Sequence, residues 1–418
     1  MSTDVERFRA EASAWLEANV PRRVRSDTLR AAHDVDPARL AEQRTAQRAL
    51  YEAGYLGIAI PVEYGGRGLT DAHERAWLDV SVDFALPNPG GIAGAVTLGI
   101  VLPTLLAHGS EEQKRDWIPK LLRGDEIWVQ LLSEPGAGSD LAGLLTRATR
   151  DGDVWVLNGT KVWSSGAMAA DFGICLARTD WDVPKHRGLT WFKVPLHDPQ
   201  VTVRPVREIN GSAEFCEEFL DDVAVGDDMV IGEVGGGWPI ANYMLMVERG
   251  AGAARTGGGT REGRARDLAP DLVALARARG LTNDRAARQL IARAHSNDYL
   301  HGQLTRRVGD ALRLGKSDPA AASLIKLSMG LRDPQRAAIA MELGGRAAIA
   351  WPADDPDGAA PAIGFLNGRI YAIAGGSNQI QRNIISERLL GMPREPSIDG
   401  DKPFREVLRD AKSWGSRA

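Results

Sequence analysis

Gln130-Leu-Leu-Ser-Glu-Pro-Gly-Ala-Gly-Ser-Asp140 is the stretch on which the fold of this chain turns. It sets two glycines, a proline and small polar side chains directly after an apolar run that begins at Trp128, which predicts a strand running into an open turn. Backbone amides exposed at such a turn, with the hydroxyls of Ser133 and Ser139, suit an anionic or strongly accepting group. A decorated β-turn with no ligand has the same spacing. Downstream, Asp151-Gly152 and Asn158-Gly159 flank the apolar run 154–157, and a second run, 160–163, follows. Further strands are expected at 172–177, 189–194, 201–206 and 214–223, the pattern of a small sandwich or barrel. Trp163-Ser-Ser165 ends one of these strands, and an indole with several hydroxyls near an amide-lined turn suits a flat heteroaromatic cofactor.

Outward from this β segment the periodicity is helical on both sides. Thr3 with Glu6 is a capping-box pattern, and Val5, Phe8, Ala12, Trp15 and Leu16 repeat at helical spacing until Pro21. A second helix is expected at 37–52, ending at Gly54. Ser110 with Gln113 opens another, with Trp117, Leu121 and Leu122 on one side and Gly124 just past its end. After Gly235-Gly236-Gly237, helices are expected at 240–254, 284–312, 320–331, 333–343 and 378–390, with 351–364, rich in Pro, Asp and Ala, as a loop. The expectation is an α+β multi-domain chain: a helical domain at 1–127, a β domain at 128–233 and a helical domain at 234–418. No internal repeat interrupts this order.

Composition narrows the function classes. A length of 418 residues is enough for two or three cores. Lys+Arg minus Asp+Glu is 51 − 55 = −4, so nucleic acid and anionic membrane are not expected partners. Cys175 and Cys216 are the two cysteines, which excludes a disulfide framework and a cysteine zinc site and fits a cytoplasmic setting. The charged N-terminus lacks a leader pattern, and no apolar run approaches the roughly 20 residues of a membrane span. GxGxxG, the Walker A loop, HExxH and GxSxG are all missing, and the seven histidines show no metal-ligand spacing. Ser323-Leu-Ile-Lys326 matches SxxK but lacks a KTG partner, and is expected on a helix surface.

Ser133-Glu-Pro-Gly-Ala-Gly-Ser-Asp140, Asn158-Gly-Thr-Lys-Val-Trp163 and Gly375-Gly-Ser-Asn-Gln-Ile-Gln-Arg-Asn-Ile-Ile385 closely resemble three signatures of the acyl-CoA dehydrogenase family. The order helical, β, helical resembles that family too, so the likeness covers essentially the whole chain. Gln130-Leu-Leu-Ser and Met246-Val-Glu-Arg-Gly250 are most similar to the actinobacterial branch that includes steroid side-chain dehydrogenases. The resemblance implies an N-terminal helical domain, a central β-barrel or sandwich and a C-terminal four-helix bundle assembled as a tetramer. It also implies FAD, an acyl-CoA substrate oxidised across Cα–Cβ to the trans-2-enoyl product, and an electron-transferring flavoprotein as acceptor. Carried over residue by residue, Ser133 and Ser165 bond the flavin ring, Trp163 packs against it and Gln130 joins the same cofactor set. Ser139 lies toward the CoA or pyrophosphate, and Ser377 and Gln379 reach the ADP part of FAD.

The resemblance also shows where the base is not. Many members carry the catalytic glutamate two residues before the position of Ser377, where this chain has Gly375, which has no side chain to take a proton. A minority carries it on a helix in a Glu-Arg pair, which Glu248-Arg249 matches; Gly375 then keeps only a backbone-amide role toward the thioester carbonyl. Met244, Leu245 and Val247 predict an apolar setting that raises the Glu248 pKa. A surface glutamate paired with its arginine fits the same residues. The elements that clasp a neighbouring subunit's FAD are degraded: 272–284 contains no Phe-Gly, Arg285 replaces a glutamine, and Met341-Glu-Leu-Gly-Gly345 lacks the leading glutamine. A heterotetramer with a sister acyl-CoA dehydrogenase subunit is therefore expected. Two competing functions are a non-catalytic partner subunit, which would have lost the loop glutamate, and a flavin oxidase or monooxygenase, which would have lost Glu248 as well. Gly250 and Gly252 leave room for a branched or polycyclic acyl tail, or simply serve helix packing.

Overall fold

The computed structural model describes residues 3–23, 36–255, 270–351, 359–397 and 399–415. Two compact units emerge: residues 1–247 together with 395–418, and residues 248–394.

In the first unit, the helices expected from caps form where the caps stand. Pro37–Glu52 starts after Asp36, whose carboxylate accepts from the Ala38 amide. Glu111–Arg123 starts at a reciprocal pair, Ser110 Oγ accepting from the Gln113 amide at 3.2 Å and Gln113 Oε1 from the Ser110 amide at 3.0 Å. It stops at Gly124, whose φ of +76° is left-handed. Its buried face, Trp117, Ile118, Leu121 and Leu122, packs into one core with Trp128, Ile174, Leu176 and Trp191 of the sheet.

The strands are β1 Trp128–Leu131, β2 Arg147–Asp151, β3 Val154–Ser165, β4 Phe172–Arg178, β5 Leu189–Pro195, β6 Val201–Pro205, β7 Phe215–Gly226 and β8 Val230–Ile231. They run β6-β7-β3-β2-β4-β5-β8, with β1 parallel on β4. Between β2 and β4 a single residue pair, Arg147 with Arg178, makes the connection, so the sheet falls into two leaves. Cys175, Phe192 and Val194 of one leaf face Trp155, Leu157, Val223 and Val225 of the other in a shared core. β4 and β5 are buried on both faces, which is why they read as continuous apolar runs. Asn158-Gly159 is not the expected turn: β3 runs straight through it, with register shifts at Leu157/Gly159 and Val162/Ser164. A methyl on Gly159 would stand 2.4 Å from Thr146 Oγ1, so close strand approach is what requires this glycine.

Residues past 395 return to this unit. The Phe404 amide donates to Val183 O and the Arg405 amide to Trp181 O. The Phe404 ring lies 3.9 Å from the fully buried guanidinium of Arg178 and stacks on Trp181. Arg178 also donates to the carbonyls of Leu144 and Lys185.

The second unit is helical. Arg285–Arg313 opens at Asp284, which accepts from the Ala287 amide at 2.8 Å, and packs with Ala322–Gly344 through Ala287, Ala294, Ile339 and Leu343. Arg336 bridges Asp298 and Asp271 along that contact. The helices expected at 320–331 and 333–343 are one, continuing through Pro334. The helix expected at 378–390 is α-helical only as Asn378–Ile384 and finishes in a π-turn, Ile385–Leu389. Of the expected loop 351–364, residues 352–358 lie outside the described residues, and Ala360–Asn367 is a helix with Pro361 in its first turn. Among the described residues no helix is long and apolar enough to cross a membrane.

Candidate active site

The turn after β1 is held from beneath by charge. The Glu134 carboxylate accepts from the amides of Leu145 and Thr146 and from Lys161 Nζ at 2.9 Å. Lys161, fully buried on β3, also donates to Leu132 O and Leu176 O. Burial alone would push the Glu134 carboxyl up, but Lys161 and these hydrogen bonds outweigh it and hold the carboxyl below its ordinary range. The Glu of the first motif and the Lys of the second are thus one buried pair that fixes the turn against the strand.

Above that pair the polar groups stay open. Ser133 and Ser165 are half-buried, and their hydroxyls meet no described partner; the Gln130 side-chain nitrogen is buried and unpaired among the described residues. Ser139 is exposed, and methyls on Gly136 or Gly138 would meet nothing. Trp163 sits at the second register shift with φ +68°, a left-handed conformation rare for a bulky residue, yet the residue is 57% exposed and its ring touches Phe215 edge-on. Sequence reasoning passed over Glu218, fully buried beside this segment, whose Oε2 accepts from Ser164 Oγ at 2.8 Å.

In the second unit a loop is clamped to the helix Ala322–Gly344 at two points one turn apart. Lys326 Nζ donates to Tyr371 O, and Gly330 O accepts from Asn378 Nδ2 at 3.2 Å. Pro334 explains the second contact: it has no N–H to offer the carbonyl four residues back, which is Gly330's. Gly375 and Gly376 have φ of +65° and +91°, and Gln381 Nε2 donates to both of their carbonyls. The Gly375 N–H meets no described acceptor. A methyl on Gly375 would stand 3.1 Å from Glu248 Oε1 and 3.2 Å from Lys326 Cε. The apolar setting expected for Glu248 is therefore incomplete, because Lys326 and Arg249 are both coupled to its charge. Nor is Ser323–Lys326 a surface feature, since Ser323 is fully buried and Lys326 only 6% exposed. Ser377 N-caps the following helix through the Ile380 amide, and Gln379 is exposed on it.

Family models agree with this architecture along the chain. The acyl-CoA dehydrogenase N-terminal domain matches residues 2–125, the middle domain 130–223 and the C-terminal domain 235–390. An acyl-CoA dehydrogenase of Mycobacterium tuberculosis named IpdE1 is 36% identical over 94% of this chain and 99% of its own length. The chain belongs to the acyl-CoA dehydrogenase family. Another M. tuberculosis acyl-CoA dehydrogenase, FadE34, is 38% identical over 93% of this chain and 53% of its own length. The solved structure named Tcur3481-Tcur3483 steroid ACAD matches with a TM-score of 0.75 at 28% identity, covering 94% of this chain and 99% of that one. Members of this family are FAD-dependent oxidoreductases that dehydrogenate acyl-CoA thioesters. A bare indole, two unengaged hydroxyls and an unpaired buried amide around an open turn fit the ring of such a cofactor. Sequence reasoning missed Lys326, Gly330 and Gln381. The SxxK match, set aside as surface, contained Lys326, and the Gly375–Ile385 signature contained Gln381 without giving it a role.

Proposed function

We propose that this chain oxidises a bulky acyl-CoA to its trans-2-enoyl-CoA, with Glu248 as the base and the Gly375 N–H as a donor to the thioester carbonyl. The observation that carries this is the 3.1 Å separation between Glu248 Oε1 and the point where a side chain at 375 would begin. The helix carboxylate occupies the room that a loop glutamate would need, so loss of one acid is matched by placement of another. Glu248 takes the α proton, and the Gly375 amide stabilises the charge that develops on the carbonyl oxygen. Bound FAD supplies the acceptor for the hydride from Cβ. Ser133, Ser165 and Gln130 would hydrogen-bond its ring, with Trp163 packed on it and Ser139 toward the CoA or pyrophosphate. Ser377 and Gln379 would face the ADP part, and an electron-transferring flavoprotein would collect the electrons.

The steroid description of the solved relative and the glycines Gly250 and Gly252 beyond Glu248 support a branched or polycyclic acyl tail. The paired chains in that relative's name support a heteromer, as do an exposed Arg285 and a half-buried Met341 at positions expected to be glutamines. Replacement Glu248→Gln keeps shape and removes the base. Turnover is expected to fall about 10²- to 10⁴-fold with FAD content unchanged; near-normal turnover would remove Glu248 from the role. Anaerobic bleaching of the flavin by short, long, branched and steroid acyl-CoA esters identifies the acyl class.

A further inference from the structure

We propose that Lys326 is a positioning residue that holds Glu248 in its carboxylate form and fixes the loop that presents Gly375. The proposal rests on the reading of Glu248 as base. Its geometric basis is that the Lys326 stem and the Glu248 carboxylate flank the same Cα, at 3.2 and 3.1 Å from a methyl placed on Gly375. The ammonium reaches past this point to donate to Tyr371 O, four residues before Gly375. One side chain thus tethers the loop and carries a positive charge coupled to that of the base.

Lysine is almost never buried without a charge or acceptor to compensate it. Burial pushes the Lys326 ammonium below the ordinary lysine range, and the charge of Glu248 is the largest influence opposing that shift. The other charged groups coupled to this pair are Arg249 on the base's own helix, Asp333 on the lysine's helix, and Arg388, which acts on Arg249. Asp333 is engaged by Arg332 at 2.5 Å, and the Lys326 ammonium is bonded to the loop carbonyl of Tyr371. The electrostatic sign is unambiguous: a neighbouring cation favours the carboxylate, so the base remains competent at lower pH than it would alone.

Lys326→Gln keeps a donor for Tyr371 O and removes the charge. In the kcat/KM pH profile its acidic limb is expected to move up by about one unit, roughly a tenfold loss at a fixed pH on that limb. The high-pH plateau and FAD content should be retained, and Lys326→Arg should leave the limb in place. An unmoved limb in Lys326→Gln, an equal loss at every pH, or a displaced limb in Lys326→Arg would each overturn the proposal. A second readout needs no turnover: Lys326→Met should lower the unfolding midpoint less in a Glu248→Gln background than in wild type. Equal losses in both backgrounds would refute the pairing. Activity in Glu248→Gln alone would instead refute the base assignment, while the stability comparison would still report on the pair.

Discussion

A tryptophan at φ +68° carries roughly 1–3 kcal/mol of backbone strain, and Trp163 keeps that conformation with an exposed ring and one edge-on aromatic contact. Glycine would take the same backbone without strain, so the proposed packing of the indole on the flavin is a role that would offset this cost. Trp163→Gly should leave the thermal midpoint of the apoprotein within a few degrees of wild type but release FAD far more readily on dilution. A large fall in the apoprotein midpoint would show the ring to be structural. Residues of this kind were partly legible. Ser133, Trp163, Glu248 and Gly375 lie in local motifs, and a local motif survives in one dimension. Lys326 was not, because its partner, Tyr371 O, is a backbone group whose approach depends on how helix and loop meet, and Gln381, although in the same motif as Gly375, gave no sign there of donating to the carbonyls of Gly375 and Gly376.

At the scale of elements, β3 and β7 enclose a carboxylic acid. Glu218, opposite Lys161 in the strand register, is pushed up to about 8 by burial, despite its hydrogen bond from Ser164 and the charge of Lys161. Its folded value lies above its unfolded one, so its contribution to stability is full below pH about 4.5 and is lost as pH rises through about 8. Wild type should therefore lose part of its denaturation midpoint as pH rises from about 4.5 to about 8, and Glu218→Gln, which mimics the protonated acid, should flatten that decline. An unchanged slope in the variant would place the pH dependence elsewhere. Helix starts were legible where side chains cap amides, as at Asp36, Ser110 and Asp284. The misread places were Asn158-Gly159 and Pro334, both local breakers overridden by tertiary contacts: a neighbouring strand pressing on Gly159, and Asn378 satisfying the carbonyl that Pro334 leaves unpaired.

For the whole molecule, the order helical, β, helical was legible because hydrophobic period changes from 3.6 to 2 and back. The shared core of Trp117 and Leu121 with Trp128 and Trp191 was not, since nothing in a period says which face meets which. At this scale the prediction concerns assembly. The chain expressed alone should bind FAD substoichiometrically, and co-expression with a sister acyl-CoA dehydrogenase chain should give a tetramer of defined mass with full flavin at its competent sites. A stable homotetramer holding one FAD per chain would defeat the heteromer.

The docking of Phe404 on Arg178 bears on biosynthesis. Arg405 and its partner Asp182 stand 223 positions apart, and the whole of the second unit is made between them. During translation the Arg178 guanidinium has only the Trp181 ring beside it and must wait for Phe404 until that entire unit has left the ribosome. The β leaves can pair early but cannot be finished early, so a nascent chain stalled before residue 404 would expose this seam to chaperones and proteases.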